Sequence, residues 1–374
     1  MLNQQDFEAV TREISRIYAD IETDLIAAIA RELAKGTSAS MSPMTWRILK
    51  LRQLGALDNR LANVLAKGTS KNLLALDKIV TGALSTASSA DDRRIKNALG
   101  AIDAAKGVSW VPAVDSEAFK ERAKAAIMNA RMALNMTNTT ALEAAKKEFV
   151  AQVNNAYVKT LSSAYSIDQS IVQCCKELGG SGVRLTYVSD KGKVTTYSLD
   201  AAVRRDIVTS VNQSASQLTI DRCGEYDCDL VEVTAHTGSR PEHALWQGKI
   251  YSLTGKTPGY QTLKEATDYG SVTGLCGANC QHSFFPFFPG ISKPLEHEEL
   301  GTKAQNEAQY QDSQTQRLYE RTIRGYKRQE AALMAAGSPD EAAKISGKIT
   351  AKQSELRAFL EESGRTRRPA RERI

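Results

Sequence analysis

The sequence is poor in the residues that usually carry chemistry or stabilise small folds. Among its 374 residues, aromatic side chains make up 6%, and there are six cysteines and four histidines. Six cysteines in so long a chain exclude a disulfide-stabilised scaffold. The longest strongly apolar run, Leu25 to Ala30, is far shorter than the roughly 20 residues that span a bilayer. We therefore expect no membrane segment.

Signatures of common enzyme classes are missing as well. There is no phosphate-binding Gly-x4-Gly-Lys-Ser/Thr loop, no Gly-x-Gly-x-x-Gly, no His-Glu-x-x-His and no Gly-x-Ser-x-Gly. The first ten residues show no basic stretch followed by an apolar one, so we expect no signal peptide and synthesis in the cytoplasm with reduced thiols. A net charge of +6 is too small for a generally basic surface that coats nucleic acid.

What the first half does contain is a helical pattern. Apolar residues such as Phe7, Ile14 and Ile21 recur at spacings of three and four, which is typical of a helix with one apolar stripe. Because alanine-rich helices bury little area each, we expect this helical region, 1–178, to depend on a partner. The runs after the first helix predict a helix through Trp46–Leu54 and further helices over about 58–85, 90–105, 116–135 and 139–178.

The residue pattern changes at Gly179 and predicts a small α+β domain over 179–292. Val183 to Leu199 alternates around a turn at 190–192, which indicates a β-hairpin, and a helix follows from about Asp200. Two more strands are predicted, at Asp229 to Ala235 and Gly248 to Leu253. Four phenylalanines at 284–288 could form an exposed docking patch. We favour the alternative, in which they close the core of this domain.

The last region, 293–374, is polar and helical. A helical hairpin is predicted, broken near Gly337, with Ser338 as the N-cap and Pro339 at the first helical position. The fold class expected overall is mainly α with one small α+β domain. The arginine-rich tail is expected to be disordered until it meets an acidic partner, and it offers five candidates for phosphate contacts with DNA: Arg365, Arg367, Arg368, Arg371 and Arg373.

Histidine and cysteine are concentrated in the middle of the chain. All four histidines lie between 236 and 297, and His236, Arg240 and His243 follow directly on a predicted strand. Polar groups at a strand end often form a site, so these three could be an acid–base cluster. The alternative, which we favour, is a polar network that fixes a turn.

A second group consists of Cys276, Cys280 and His282. Cysteine and histidine at short spacing are zinc-ligand types, and His236, His243 or the Cys223/Cys228 pair could complete a site. The spacing is not the paired Cys-x2-Cys pattern, so a small reduced core or a Cys276–Cys280 disulfide fits equally well. No cofactor is expected, and zinc is the minor alternative.

Two stretches of this region carry a family resemblance. The sequences VEVTAHTGSRPEHALWQGKIYS (231–252) and YGSVTGLCGANCQHSFFPFFPG (269–290) closely resemble the phage minor capsid protein 2 family, which is distantly similar to the Mu protein F-like head morphogenesis proteins. The motif positions of the family correspond here to His236, Arg240, His243, Trp246, Gln247, Gly248, Cys276, Asn279, Cys280 and His282.

This resemblance implies a non-enzymatic minor structural protein of a tailed-phage head. It would assemble in the host cytoplasm, associate with the portal protein or the major capsid protein, and act in head morphogenesis or DNA delivery, with the tail near packaged DNA. The alternative is a head-packaged enzyme, acting on nucleic acid or a host target with or without zinc, that uses His236, Arg240 and His243.

Overall fold

The computed structural model describes residues 2, 4–38, 40–102, 111–162, 165–188, 192–296 and 300–374. The chain is 70% helical with small antiparallel sheets, which confirms the expected fold class. Its helices and strands are, in chain order, α1 (Gln4–Ala34), α2 (Pro43–Arg52), α3 (Leu54–Ile102), α4 (Glu117–Leu161), α5 (Ile167–Ser181), β1 (Arg184–Val188), β2 (Val194–Ser198), α6 (Leu199–Glu225), β3 (Leu230–Val233), β4 (Ile250–Ser252), α7 (Leu263–Thr267), β5 (Phe284–Phe287), α8 (Lys303–Ala335) and α9 (Pro339–Ser363).

Two helices are longer than the sequence predicts. The expected breaks near residues 86–89 and 136–138 lie inside α3 and α4, respectively. Serine and threonine hydroxyls that bond to the backbone of their own helix weaken it only slightly. Here the hydroxyl of Thr86 donates to the carbonyl of Gly82 within its own helix, and Asn138 is held by the hydroxyl groups of Tyr18 and Thr69. The Thr86 bond thus stays within α3 and does not end the helix, and tertiary contacts override the local preference at Asn138.

The described residues pack into two compact units, each assembled from three separate segments. The first unit comprises 1–13, 73–133 and 204–313, and the second comprises 14–72, 134–203 and 314–374. Five helices, α1, α3, α4, α6 and α8, therefore contribute residues to both units. The sequence predicts a different division, into three consecutive regions with separate roles: 1–178, 179–292 and 293–374. That division by role stays a prediction.

The first unit is built around a three-stranded antiparallel sheet in the order β4-β3-β5. Every residue of β3 and β5 is buried. Pro286 has no N–H to donate, and it is tolerated because β5 lies at the edge of the sheet, beside β3. All four phenylalanines at 284–288 are buried, which confirms that they close the core rather than form a docking patch.

Helices α3 and α6 are joined inside the first unit by buried charges. The guanidinium of Arg222 donates to the carboxylate of Asp92 at 2.6 Å, and both side chains are almost fully buried. The same carboxylate accepts from the backbone N–H of Ala113 at 2.7 Å. One turn before Arg222, the Thr219 hydroxyl donates to Asp91 at 2.6 Å. Buried ion pairs are tolerated only with such additional hydrogen bonds.

In the second unit, the glycine-rich segment at 179–182 packs closely on α8. A Cβ at Gly179 would lie 2.4 Å from the backbone nitrogen of Gln329, and one at Gly182 would lie 2.4 Å from a carboxylate oxygen of Glu22. Only glycine permits this approach. The predicted hairpin follows as β1 and β2, paired from Arg184↔Ser198 to Val188↔Val194. Its turn at 189–191 lies outside the described residues.

The C-terminal hairpin and tail differ in part from expectation. Ser338 precedes α9 and Pro339 begins it, but the Ser338 hydroxyl makes no capping hydrogen bond. The tail was expected to be disordered; instead it folds back, with Arg367 donating twice to Glu372 at 2.7 Å. Glu372 is buried and also accepts from Gln353. One acidic residue thus anchors a segment whose composition suggested only positive charge.

Within the described ranges, no helix combines the length and the apolar character that crossing a membrane requires.

Glu22 generates a testable pH dependence. Burial raises the pKa of Glu22 to about 7, although Arg328 and the N–H of Val183 both favour its charged form. Because the native pKa exceeds the usual value of 4.5, the stability that Glu22 contributes is full below about pH 4.5 and is lost as the pH rises through 7.

We therefore expect the free energy of unfolding of the wild type to fall between pH 5 and pH 8 relative to Glu22→Gln. Relative to the variant, the free energy of unfolding of the wild type should fall by about 3 kcal/mol. This follows because each unit by which folding raises the pKa of Glu22 corresponds to about 1.4 kcal/mol. Urea titrations of both proteins across this pH range measure it. Parallel pH profiles for the two proteins would contradict the assignment.

Candidate functional site: a buried histidine and cysteine cluster

The first part of the site is the excursion of the chain between β3 and β4. The loop is closed at its base, because the Val233 N–H donates to the carbonyl of Lys249 and the Gly248 N–H donates back to that of Val233. Gly248 has a φ of +69°, which favours glycine at this closure. Inside the loop, a 3-10 turn at His243–Leu245 directs His243 and Trp246 into the protein, where both are buried.

The second part is the loop that leads into β5. Cys276 and Asn279 adopt positive φ angles of 60° and 56°, which are uncommon for residues other than glycine. The Ala278 N–H donates to the carbonyl of Val272, and the Cys280 N–H donates to that of Gly277. A Cβ at Gly277 would lie 2.5 Å from the carbonyl oxygen of Val272. The loop is therefore tightly coiled and has no room for a larger residue at 277.

Helix α6 holds this second loop through side-chain hydrogen bonds. The side-chain amide of Asn212 donates to the carbonyls of Cys280 and His282 at 3.1 and 2.9 Å. One turn later, the Ser216 hydroxyl donates to the carbonyl of Asn212 and lies 2.9 Å from the Cys276 sulfur. These contacts hold the backbone at Cys280 and His282 and give the Cys276 thiol a hydrogen-bond partner.

The two loops meet where His243 and His282 face Cys280. His243 Nε2 lies 3.0 Å from the carbonyl oxygen of Thr273, and its Nδ1 lies 3.9 Å from the Cys280 sulfur. A carbonyl oxygen only accepts, so His243 carries its proton on Nε2. Its Nδ1 lone pair therefore points at the sulfur.

His282 is arranged in the same way, with one ring nitrogen on an oxygen atom and the other facing the Cys280 sulfur. Its Nε2 lies 2.9 Å from Oε1 of Gln247, and its Nδ1 lies 3.7 Å from the Cys280 sulfur. The backbone N–H of His236 donates to the same Oε1 at 3.2 Å, which identifies that atom of Gln247 as an oxygen. Hence Nε2 of His282 is protonated and its Nδ1 lone pair also points at the sulfur.

His236 and Arg240 lie beside this pair of histidines and have other partners. The His236 ring stacks on that of His282, with centroids 4.4 Å apart, and its Nδ1 lies 3.1 Å from the Thr237 carbonyl. Arg240 donates to the carbonyl of Ala278 at 2.9 Å and so ties the first loop to the second. Both residues therefore help to hold the two loops in place.

The electrostatics of the cluster favour uncharged side chains. Burial lowers the pKa of His236 and His243, and it lowers that of His282 well below its usual value. Burial likewise raises the pKa of the Cys280 thiol. Neutral, inward-facing imidazoles are suited to fixing loops or to binding a cation, and less suited to exchanging protons with a substrate in solution.

The structure brings most of the predicted site residues together. Among the described residues, the metal-binding atoms that gather within 4.8 Å of one another belong to His243, Cys280 and His282. Cys276 does not belong to this group, and it and Cys280 are free thiols rather than a disulfide. Cys228 lies elsewhere, with its thiol directed to the carbonyls of Leu230 and Phe287.

The remaining predicted residues lie outside the cluster. Arg365 donates to Gln316, Arg367 is paired with Glu372, and Arg371 lies 4.0 Å from Glu320. Contact of these arginines, and of Arg368 and Arg373, with DNA stays a prediction. His297 lies outside the described residues.

Sequence reasoning missed the supporting residues on α6. Asn212 and Ser216 are almost completely buried and lie one turn apart. Their signal was a pair of polar residues at i and i+4, beside the apolar residues Val203, Ile207 and Val211 of the same helix, which could have marked a buried polar contact. The role of the Thr273 carbonyl had no sequence signal, since every residue has a carbonyl.

Comparison with known proteins then decides the family. The family model described as phage minor capsid protein 2 matches residues 2–361. The chain belongs to this family. Among relatives, it is 22% identical over 323 residues to a protein of Lactococcus phage LL-H named "Structural protein", covering 85% of each chain. It is 32% identical over 120 residues to a "Structural protein" of Lactococcus phage mv4, covering 31% of this chain and 94% of that one.

No solved structure matches the chain. Membership of the minor capsid protein 2 family confirms the resemblance seen in the sequence and gives the protein a structural role in a phage particle. The family points to a non-enzymatic role. Partners in the virion follow from that role.

The tight packing of the second loop can be tested by adding one methyl group at Gly277. We expect Gly277→Ala to lower the free energy of unfolding by about 2 kcal/mol, because its Cβ would overlap the carbonyls of Val272 and Ser271. Gly224→Ala is the matched control: it is exposed on α6 with nothing within 4 Å, so stability should stay equal or rise slightly. Chemical denaturation measures both. An unaffected Gly277→Ala protein would show that the loop is looser than described.

Proposed function

We propose that this minor capsid protein associates with the portal protein of its phage and acts in assembly of the head. Support comes from membership of the family and from the helical region 1–178, which the sequence predicts to need a partner. A phage structural protein must bind other virion components, and exposed apolar side chains on rigid helices are the surfaces that such partners bury.

A row of methionines on α4 carries this proposal. Met128, Met132 and Met136 follow one another every four residues, and 55, 59 and 71% of their surface is exposed. Residues four apart share a helix face. Methionine is flexible and polarizable, and it is over-represented at binding surfaces that adapt to a partner. We therefore assign this methionine row as the portal-binding surface.

Helix α2 presents a second exposed apolar face. Met44, Ile48 and Leu51 lie at i, i+4 and i+7 and are all substantially exposed, while Trp46 and Lys50 on the other side are buried. An exposed apolar stripe opposite a buried face indicates that the helix contacts a partner as well as its own core. This face supports the same proposal from an independent element.

DNA delivery and contact with packaged DNA have weaker support. The charge of Arg367 is neutralised by its two hydrogen bonds to Glu372, which reduces the affinity of the tail for phosphates. The enzymatic alternative is weakened in a similar way, because Arg240 is bound to a carbonyl and the imidazole nitrogens of His243 both face protein atoms.

The test is co-purification with the portal protein. The protein and the portal protein of the same phage are co-expressed, and the complex is isolated through a tag on the portal. We expect Met128→Gln/Met132→Gln/Met136→Gln to reduce the recovered amount at least tenfold, since glutamine keeps the length and helix propensity of methionine but resists burial.

The matched control is Lys147→Gln/Ala151→Gln/Asn155→Gln, which places three glutamines every four residues at exposed positions of the same helix. These positions begin 11 residues after Met136, about 16 Å away along the helix. The control protein should bind portal as the wild type does, and circular dichroism should be equal for all three. Equal recovery of the methionine variant and the wild type would contradict the proposed surface. Failure of the wild type to co-purify with portal would contradict the proposed function itself.

A further inference from the structure

We propose that His243, Cys280 and His282 bind one Zn²⁺ through Nδ1, Sγ and Nδ1, with a water molecule as the fourth ligand. The three residues come from the two loops of the first unit, and all are at most 3% exposed. Two imidazoles and a thiolate form a donor set that zinc prefers.

The distances between the donor atoms suit a tetrahedral ion. The Cys280 sulfur lies 3.9 Å from Nδ1 of His243 and 3.7 Å from Nδ1 of His282. With Zn–N near 2.0–2.1 Å and Zn–S near 2.3 Å, ligands at a tetrahedral angle stand about 3.6 Å apart. Both sulfur–nitrogen distances are within a few tenths of an ångström of this value. The two Nδ1 atoms, which lie within 4.8 Å of each other, would move toward the separation of about 3.3 Å that two Zn–N bonds at a tetrahedral angle require.

Hydrogen bonding within the protein leaves one acceptor unsatisfied. Both Nδ1 atoms are acceptors, because each ring carries its proton on Nε2 toward an oxygen. Both face the same sulfur, and a thiol has one proton, so it can donate to only one of them. A buried acceptor without a donor is costly. One cation between the three atoms satisfies both lone pairs and the thiolate together.

The outer contacts of the two histidines are those of metal ligands. A metal-binding histidine usually donates its other N–H to a carbonyl or carboxylate, which fixes the ring and its tautomer. Thr273 supplies that carbonyl for His243, and Gln247 supplies an amide oxygen for His282. Gln247 is itself held by the His236 N–H, so the orientation is set before any ion arrives.

Binding would also explain how loops with so little regular structure stay in place. The ion would link the loop after β3 to the loop before β5. Proton balance is simple, since Zn²⁺ replaces the thiol proton of Cys280, which is released to solvent.

The test begins with elemental analysis of the full-length protein, purified with reductant and without chelator from cells grown with zinc. We expect about one zinc per chain in the wild type. Cys276→Ser is the matched control: it lies four residues from Cys280 but bonds to Ser216, so it should keep its zinc. Cys280→Ala should lose at least nine-tenths of it.

A second measurement covers the case in which Cys280→Ala fails to fold. Cobalt added to chelator-treated wild type should give the visible bands of a tetrahedral site and a sulfur-to-cobalt charge-transfer band in the near ultraviolet. The same spectrum should appear in Cys276→Ser. Wild-type protein with no metal and no cobalt spectrum would overturn the site. Loss of zinc from a folded Cys276→Ser protein, or full zinc in Cys280→Ala, would overturn this ligand set.

Discussion

The side-chain oxygen of Gln247 holds the centre of the first unit together. It accepts one hydrogen bond from the backbone of His236 in its own loop and one from the ring of His282 in the other loop. These two bonds join segments that have almost no regular secondary structure, and they also decide which nitrogen of His282 carries the proton. The direction of the His282 lone pair toward Cys280 follows from this one contact, and the ring of His236 stacks on the same imidazole.

The residues of the motif that resembles the family hold the two loops together in the structure. Trp246 packs beside His243 and His282, Arg240 ties one loop to the other, and Asn279 adopts the positive φ that turns the chain. None of these contacts needs a substrate. Binding to other virion proteins is proposed instead to use exposed helical residues that have no part in the motif.

Local patterns in the sequence were sufficient to predict the hairpin, the strands β3 and β4 and the phenylalanine core, but not that Phe284–Phe287 forms the third strand of the sheet. Alternation and turn residues are short-range signals, and burial of Phe284 to Phe288 followed from the shortage of other aromatic mass. The lengths of α3 and α4 were not predicted, because their weak points are stabilised by contacts such as Tyr18 to Asn138. Those partners are 120 residues apart and leave no local signal.

The candidate site was located from the sequence, but its geometry was not. The clustering of cysteine and histidine indicated the right two loops, and His243, Cys280 and His282 were all candidates. Which of the candidates converge depends on Asn212 and on the carbonyl of Thr273, and on the coiling of the chain at Cys276 and Asn279. Such contacts depend on the complete fold, and no spacing rule contains them.

The most direct test of this account is the protonation of the two inward-facing histidines. Protein labelled with ¹⁵N at histidine allows long-range nitrogen–proton NMR spectra to report, ring by ring, which nitrogen carries the proton. We expect neutral rings at pH 7 with the proton on Nε2 in both His243 and His282, whether or not zinc is bound. A proton on Nδ1 of either ring, or a doubly protonated ring, would contradict it.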